Sequence, residues 1–250
     1  MCTVVILRRP GNPWPFLMAA NRDEMAGRPW RPPGHHWPDR PKVTAGLDIE
    51  AGGSWLGINR DRVVAGILNR PQTLGPKEGY RSRGELPLEA LDHATASDAA
   101  RALSYLDPAA YRPFNLVVAD PVDAFWLRSE GHASKIAVVE LPAGLSMITA
   151  HDRNDNTAER IRFNLPRFEQ AEAPDPEAGD WQVWATLMAS REFEPGAGPR
   201  GAMTVVTDQE FGTVSSSLIA LPDIQRFETK PIFLFAAGRP GDTPYDTIEL

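Results

Sequence analysis

Short apolar runs of strand length, cut by proline and glycine turns, constrain the fold of this chain more than any other feature. Residues 3–7 are β-branched and apolar, which predicts a strand buried on both faces. Pro10-Gly11-Asn12-Pro13 is a dense turn signal, and residues 16–20 form a second run, so the two predict a hairpin. Residues 43–49, 54–58 and 63–68 read as three further strands, and the proline-rich stretch 28–41 reads as a loop. Helices follow. Ser82-Arg83-Gly84-Glu85 has the spacing of a capping box, with Pro87 tolerated in the first turn. Ser97 predicts the cap of a second helix that runs to Leu106 and stops at Asp107-Pro108. Strands return at 116–119, 124–128, 135–141 and 145–149, helices at 157–168 and 181–190, and strands at 203–207, 214–221 and 225–235. The tail from Gly238 is expected to be loose.

The order is strands, two helices, strands, two helices, strands. Regular alternation of strand and helix is missing, which argues against a doubly wound parallel sheet and for an α+β arrangement of mainly antiparallel sheets with helices outside them. No repeat or linker breaks the chain, so one domain over residues 1–250 is expected.

Composition excludes several roles. With 26 Lys+Arg against 33 Asp+Glu the net charge is −7, the wrong balance for neutralising nucleic-acid phosphates. The single cysteine, Cys2, leaves no intrachain disulfide to form. The apolar run 4–7 is too short for a signal-peptide core, and Arg8 and Arg9 follow it where a signal would carry them ahead. Later apolar stretches are strand-sized, so no stable membrane insertion and a cytoplasmic location are expected.

Several motif matches lack their context. Gly196-Ala197-Gly198-Pro199-Arg200-Gly201 fits a nucleotide-binding pattern in letters, but a proline sits inside it and a helix precedes it. Asp152-Arg153-Asn154-Asp155-Asn156 opens like a calcium loop, yet Thr157 and Phe163 stand where glycine and glutamate are needed. His35, His36 and Asp39 lack further converging ligands, so no metal is expected. Ser215-Ser216-Ser217 reads as strand residues bonding locally.

Cys2 carries more chemistry. Removal of Met1 would leave its thiol and a free α-amine on one carbon, and an amine near pKa ~7.7–8.0 can take the proton of a thiol near ~8.5 and return it later. The hairpin brings the end of the second run beside the start of the first, so Arg22 and Asp23 of Asn21-Arg22-Asp23-Glu24 should lie near Cys2. A guanidinium stabilises a thiolate or orients a carbonyl, and a carboxylate can hold the amine. Asn69, ending residues 63–68, can donate to an oxyanion.

These residues carry a resemblance. Met1-Cys2, Asn21-Arg22-Asp23-Glu24, Gly52-Gly53-Ser54-Trp55-Leu56-Gly57, Val64-Ala65-Gly66-Ile67-Leu68-Asn69, Ser82-Arg83-Gly84-Glu85-Leu86 and Phe114-Asn115-Leu116 together resemble the NRDE family, also called the transport and Golgi organisation protein 2 family. The resemblance covers most of the chain and is strongest up to Asp120. It implies an N-terminal-nucleophile (Ntn) hydrolase-like fold, a four-layer αββα sandwich. A more distant similarity to the penicillin V acylase and bile salt hydrolase branch implies catalytic roles for Cys2, Arg22, Asp23 and Asn69, with substrate contacts expected at Asn21, Glu24, Trp55 and His151. Three departures are visible. Arg22 and Asp23 are adjacent, so they face opposite ways if the strand continues through them, and Thr149-Ala150-His151 stands where a second oxyanion asparagine is expected. An arginine expected on a late strand is also missing around residues 213–217.

The resemblance implies two functions. One is a cysteine hydrolase of amide or acyl compounds needing no cofactor. The other is a carrier of haem or a lipid-like ligand that keeps the pocket without the chemistry, for which His35, His36, Trp30 and Trp37 could line an apolar slot.

Overall fold

A computed structural model of the chain describes residues 2–132 and 135–250. β1 (Thr3–Arg8) and β2 (Phe16–Met25) form the expected hairpin, with Thr3 opposite Asn21 and Arg8 opposite Phe16. β3 (Trp30–Gly34), β4 (Val43–Asp48), β5 (Leu56–Asn59) and β6 (Val64–Asn69) follow, then α1 (Glu85–Leu91) and α2 (Ala96–Leu103). β7 (Phe114–Ala119), β8 (Ala124–Ser129), β9 (Ala137–Glu140) and β10 (Gly144–Ile148) lead to α3 (Glu159–Gln170) and α4 (Gln182–Ala189). β11 (Phe211–Leu221), β12 (Ile232–Ala236) and β13 (Asp246–Thr247) complete the order. One antiparallel sheet runs β10-β1-β2-β11-β12-β13, and the other runs β3-β4-β5-β6-β7-β8-β9.

Strand alternation sorts the apolar side chains into three cores. Val4, Ile6, Met18 and Ala20 meet Leu56, Val64 and Leu68 between the sheets. Val5, Leu17 and Ala19 meet Ile161, Phe168 and Trp184 of α3 and α4. Ala65, Leu116 and Val118 meet Leu86, Leu91 and Ala99 of α1 and α2. The result is the expected four-layer αββα sandwich.

Six local expectations are corrected. β2 does not stop at Ala20 but runs through Asn21-Arg22-Asp23-Glu24, because β11 pairs along its whole length and buried partners satisfy the polar side chains. The proline-rich stretch contains β3, an edge strand where Pro32 and Pro33 cost few ladder hydrogen bonds. The capping box does not close: the Glu85 carboxylate takes the Tyr111 hydroxyl and Arg81 instead. Thr95, not Ser97, caps α2 by accepting from the Asp98 amide at 3.0 Å. Residues 203–207 form only a single bridge, Val206 to Gly212, with the Val205 amide taken by the Thr213 hydroxyl. The tail is also anchored. Its β13 pairs with β12, Tyr245 lies 2.7 Å from the Ser216 hydroxyl, and Ile248 and Leu250 pack against the inter-sheet core. Among the described residues no helix is long and apolar enough to cross a membrane.

Candidate active site

Cys2 stands one residue ahead of β1 and packs against the inter-sheet core with Val4 and Ile6. Its half-buried Sγ lies 3.9 Å from the backbone carbonyl oxygen of Asp23, a contact that follows from the hairpin register. On β2, Arg22 shares the inner face with Met18 and Ala20. Its guanidinium is buried, lies 4.1 Å over the Trp55 ring and donates through Nη2 to Asp48 Oδ2 at 3.2 Å. Asp48 is also clamped by Arg28, through Nε at 2.7 Å and Nη2 at 3.0 Å. Arg22 Nη1 is buried and has no hydrogen-bond partner among the described residues. A buried donor left in that state costs on the order of 1–3 kcal/mol, and more when charged.

Two close approaches shape the wall. A Cβ on Gly46 would come within 2.4 Å of the Trp55 ring, so glycine lets that indole lie against β4 beneath Arg22. A Cβ on Gly53 would come within 2.4 Å of the Gly84 carbonyl carbon, and the Ser54 amide donates to Gly84 O at 2.8 Å. The glycine-tryptophan motif and the start of α1 are thereby pressed backbone to backbone.

Cys2, Arg22, Asp23, Glu24, Trp55 and Asn69 all line one cleft of about 420 Å³. No described residue engages the Asn69 side-chain amide, at the last position of β6. On the other side of Cys2 a cavity of about 20 Å³ opens between the sheets, also bordered by Arg22 and Trp55.

Asp23 faces the other way. Because β2 continues, its carboxylate points to the outer layer, where Oδ2 accepts from Arg160 Nη1 at 2.9 Å and Oδ1 from the Thr213 hydroxyl at 2.7 Å. Arg160 of α3 also donates to Thr3 Oγ1 at 2.6 Å, so the carboxylate lies beside the start of β1. No arginine stands at residues 213–217, and the arginine that reaches this sheet at Asp23 comes from α3 on its outer side.

Two expected substrate contacts lie away from the cleft. Asn21 also faces outward, where its amide donates to the carbonyls of Met188 and Met203 at 3.0 and 2.9 Å and ties β2 to α4. His151 does not line the cleft. Its backbone carbonyl accepts from Asn115 Nδ2 at 2.9 Å and its ring nitrogen is 3.8 Å from Asp155. Asn115 also takes Thr149 O, joining β7 to the loop after β10. The residues placed around an apolar slot do not surround one. His35 and His36 each spend a ring nitrogen on a backbone carbonyl, of Val43 and Pro32. Trp30 packs between the sheets while Trp37 packs on the helix side, and none of the four lines the Cys2 cleft. Among the described residues no group of three His, Cys, Asp or Glu is placed to hold a metal ion.

Burial pushes the Cys2 thiol above its ordinary pKa, and the Asp23 charge pushes the same way against the opposing pull of Arg22. At neutral pH the sulfur therefore carries its proton, and attack needs a base. In the chain that keeps Met1, alkylation of Cys2 by iodoacetamide should be slow at pH 7.5 and still be rising above pH 9, later than for a free cysteine near ~8.5. A plateau reached by pH 8 would contradict this.

Asp48, Arg28 and Arg83 are site residues that the sequence pattern did not single out. Asp48 and Arg28 are joined to Arg22 only by strand pairing and a loop, which leaves no local signal. Arg83 sat in view inside the expected capping box. It lines the cleft, and burial together with Arg112 lowers its pKa to about 10.

The family model described as Transport and Golgi organisation 2 matches residues 1–226. No curated protein matches the chain in sequence. Among solved structures, the N-acylethanolamine-hydrolyzing acid amidase ortholog of Caenorhabditis elegans superposes with a TM-score of 0.57 at 13% identity, covering 92% of this chain and 98% of that one. Two variants of the conjugated bile acid hydrolase from Clostridium perfringens superpose with TM-scores of 0.55 and 0.51 at 12% identity. They cover 99% and 100% of this chain and 92% and 97% of theirs.

Proposed function

The chain belongs to the Transport and Golgi organisation 2 family, and from that premise we propose that it is a cysteine hydrolase of amide or acyl compounds, working from Cys2 after removal of Met1. The observation that carries this reading is the unpartnered Arg22 Nη1 in the cleft that also holds the Cys2 thiol.

The steps use this chain's own groups. The α-amine of Cys2 takes the thiol proton, and Sγ attacks the substrate carbonyl carbon. Arg22 Nη1 and the Asn69 amide donate to the oxyanion that forms. The tetrahedral species collapses, the C–N bond breaks, and the leaving amine takes the proton from the Cys2 ammonium. Water, deprotonated by the same amine, then cleaves the thioester and restores the thiol. Asp23 holds the amine, a role supported by its carboxylate sharing Arg160 Nη1 with Thr3, the residue after Cys2. Support for hydrolase chemistry also comes from the fold, since the superposed structures are named as hydrolases or an amidase.

The test is intact-mass spectrometry after brief exposure of the chain lacking Met1 to an activated acetate ester. One acetyl group should appear on Cys2 and decay by hydrolysis, and Cys2→Ala should show none. An adduct that survives unchanged for hours, or none on Cys2, would overturn the hydrolase reading.

A further inference from the structure

The space around Cys2 differs sharply between its two sides. Inward, the cavity of about 20 Å³ is enclosed by Val4, Leu56, Leu68 and Ile67, with Ser215 and Ser217 from β11 at its edge. A space of that size holds about one water or one methyl group. Outward, the cleft of about 420 Å³ has room for a much larger group.

The charges of the outer cleft are also divided. Its carboxylates Glu24, Asp48 and Glu50 gather around Arg28, with Glu50 2.8 Å from Arg28 Nη1 and Asp48 2.7 Å from its Nε. The cleft is also lined by Lys77, Arg83 and Arg112, none of which has a carboxylate partner among the described residues. Arg83 donates instead to Thr73 and to the Pro113 carbonyl, and Arg112 to the carbonyls of Gln72, Leu74 and Gly75. Burial and the neighbouring Arg112 charge both work against the Arg83 guanidinium. Three cations without a carboxylate partner therefore line one cleft, two of them close enough for Arg112 to act on Arg83, in a chain whose net charge is −7. An anion placed there relieves their mutual repulsion.

We propose, resting on the Cys2 hydrolase reading, that the substrate is a short-acyl amide whose leaving amine carries a carboxylate or phosphate: the acyl group enters the inner cavity and the anion lies against Lys77, Arg83 and Arg112. The reaction is ordinary acyl transfer to water. Sγ–C forms first, C–N then breaks as the amine leaves with the proton from the Cys2 ammonium, and water cleaves the S–C bond to release a short carboxylic acid and restore the thiol. An acetyl group fits the inner cavity, whereas each further methylene must displace Val4, Leu56 or Leu68.

The experiment uses the full chain with Cys2 at its N-terminus and four probes: the N-acetyl and N-hexanoyl amides of glutamate and of ethanolamine. N-acetylglutamate should show a kcat/KM at least about tenfold above the two hexanoyl amides, since a single misfit methylene in an apolar pocket is worth about tenfold or more, and about threefold or more above N-acetylethanolamine, which lacks the anion. Lys77→Glu, at an exposed position, should lower the glutamate-to-ethanolamine ratio by about threefold or more. Val4→Ala should lower the acetyl-to-hexanoyl ratio. Preference for hexanoyl or for ethanolamine amides overturns this inference and leaves the hydrolase reading standing. So does failure of all four amides in a chain whose Cys2 is still acetylated and deacetylated by the ester. Failure of both the amides and the ester overturns the two together.

Discussion

Arg22→Ala lowers the rate of Cys2 acylation by about 10²–10³-fold, the loss seen when one oxyanion donor is removed. The effect should fall on kcat more than on KM, because in the proposed mechanism Nη1, which has no partner among the described residues, donates to an oxyanion that exists fully only in the transition state. It should also move the pH dependence of Cys2 alkylation upward, since Arg22 is the neighbouring side chain that favours the thiolate. Arg22→Lys restores little, because one ammonium nitrogen does not reproduce the fixed fork that sends Nη2 to Asp48 and leaves Nη1 as a second donor. The guanidinium also stacks on Trp55, so the variant needs a stability control, and the direction of its alkylation shift separates the two effects: loss of the Arg22 charge moves the profile up, whereas loosened packing relieves the burial of Cys2 and moves it down. An acylation rate within about threefold of the parent would remove Arg22 from the chemistry.

Asp23→Ala destabilises the fold by about 3–5 kcal/mol, the usual cost of stripping one partner from a buried ion pair. The Asp23 side chain is fully buried and its Arg160 partner is 5% exposed, so the guanidinium left behind has little access to water. Folded domains have about 5–15 kcal/mol in total, so urea denaturation should show a large fall in midpoint with little change in slope. Replacing both residues, Asp23→Ala with Arg160→Met, should recover part of the loss, because an apolar pair is cheaper to bury than a stranded charge. A loss below about 1 kcal/mol would show that the pair contributes little to holding β1 and β2 against α3.

These two neighbours on one strand illustrate what the sequence could and could not disclose. Hairpin, sheets and helix pairs were legible from apolar periodicity, and the nearness of Cys2 and Arg22 follows from the hairpin register. The end of β2 was hidden because Asn21, Arg22, Asp23 and Glu24 look like a solvated turn. Partners far along the chain, Met188, Asp48 and Arg160, make their burial tolerable. The adjacency of Arg22 and Asp23 did signal opposite faces, and the structure places their side chains so. β3 was masked by Pro32 and Pro33, which an edge strand accommodates. Asn69 reaches the cleft with Cys2, as the end of β6 implied. His151 lies outside it because its loop is held by its backbone carbonyl on Asn115, an interaction without a side-chain signature at that position. The cationic lining stayed unread because Arg83 and Arg112 are paired with carbonyls of distant segments.

The most direct measurement compares two preparations of the same chain, one with Met1 retained and one cleaved to begin at Cys2, in a single-turnover reaction with an activated acetate ester followed by mass. The account predicts rapid acetylation of Cys2 and its release only where the α-amine is free. Equal acetylation and release in both preparations, or in neither, would contradict it.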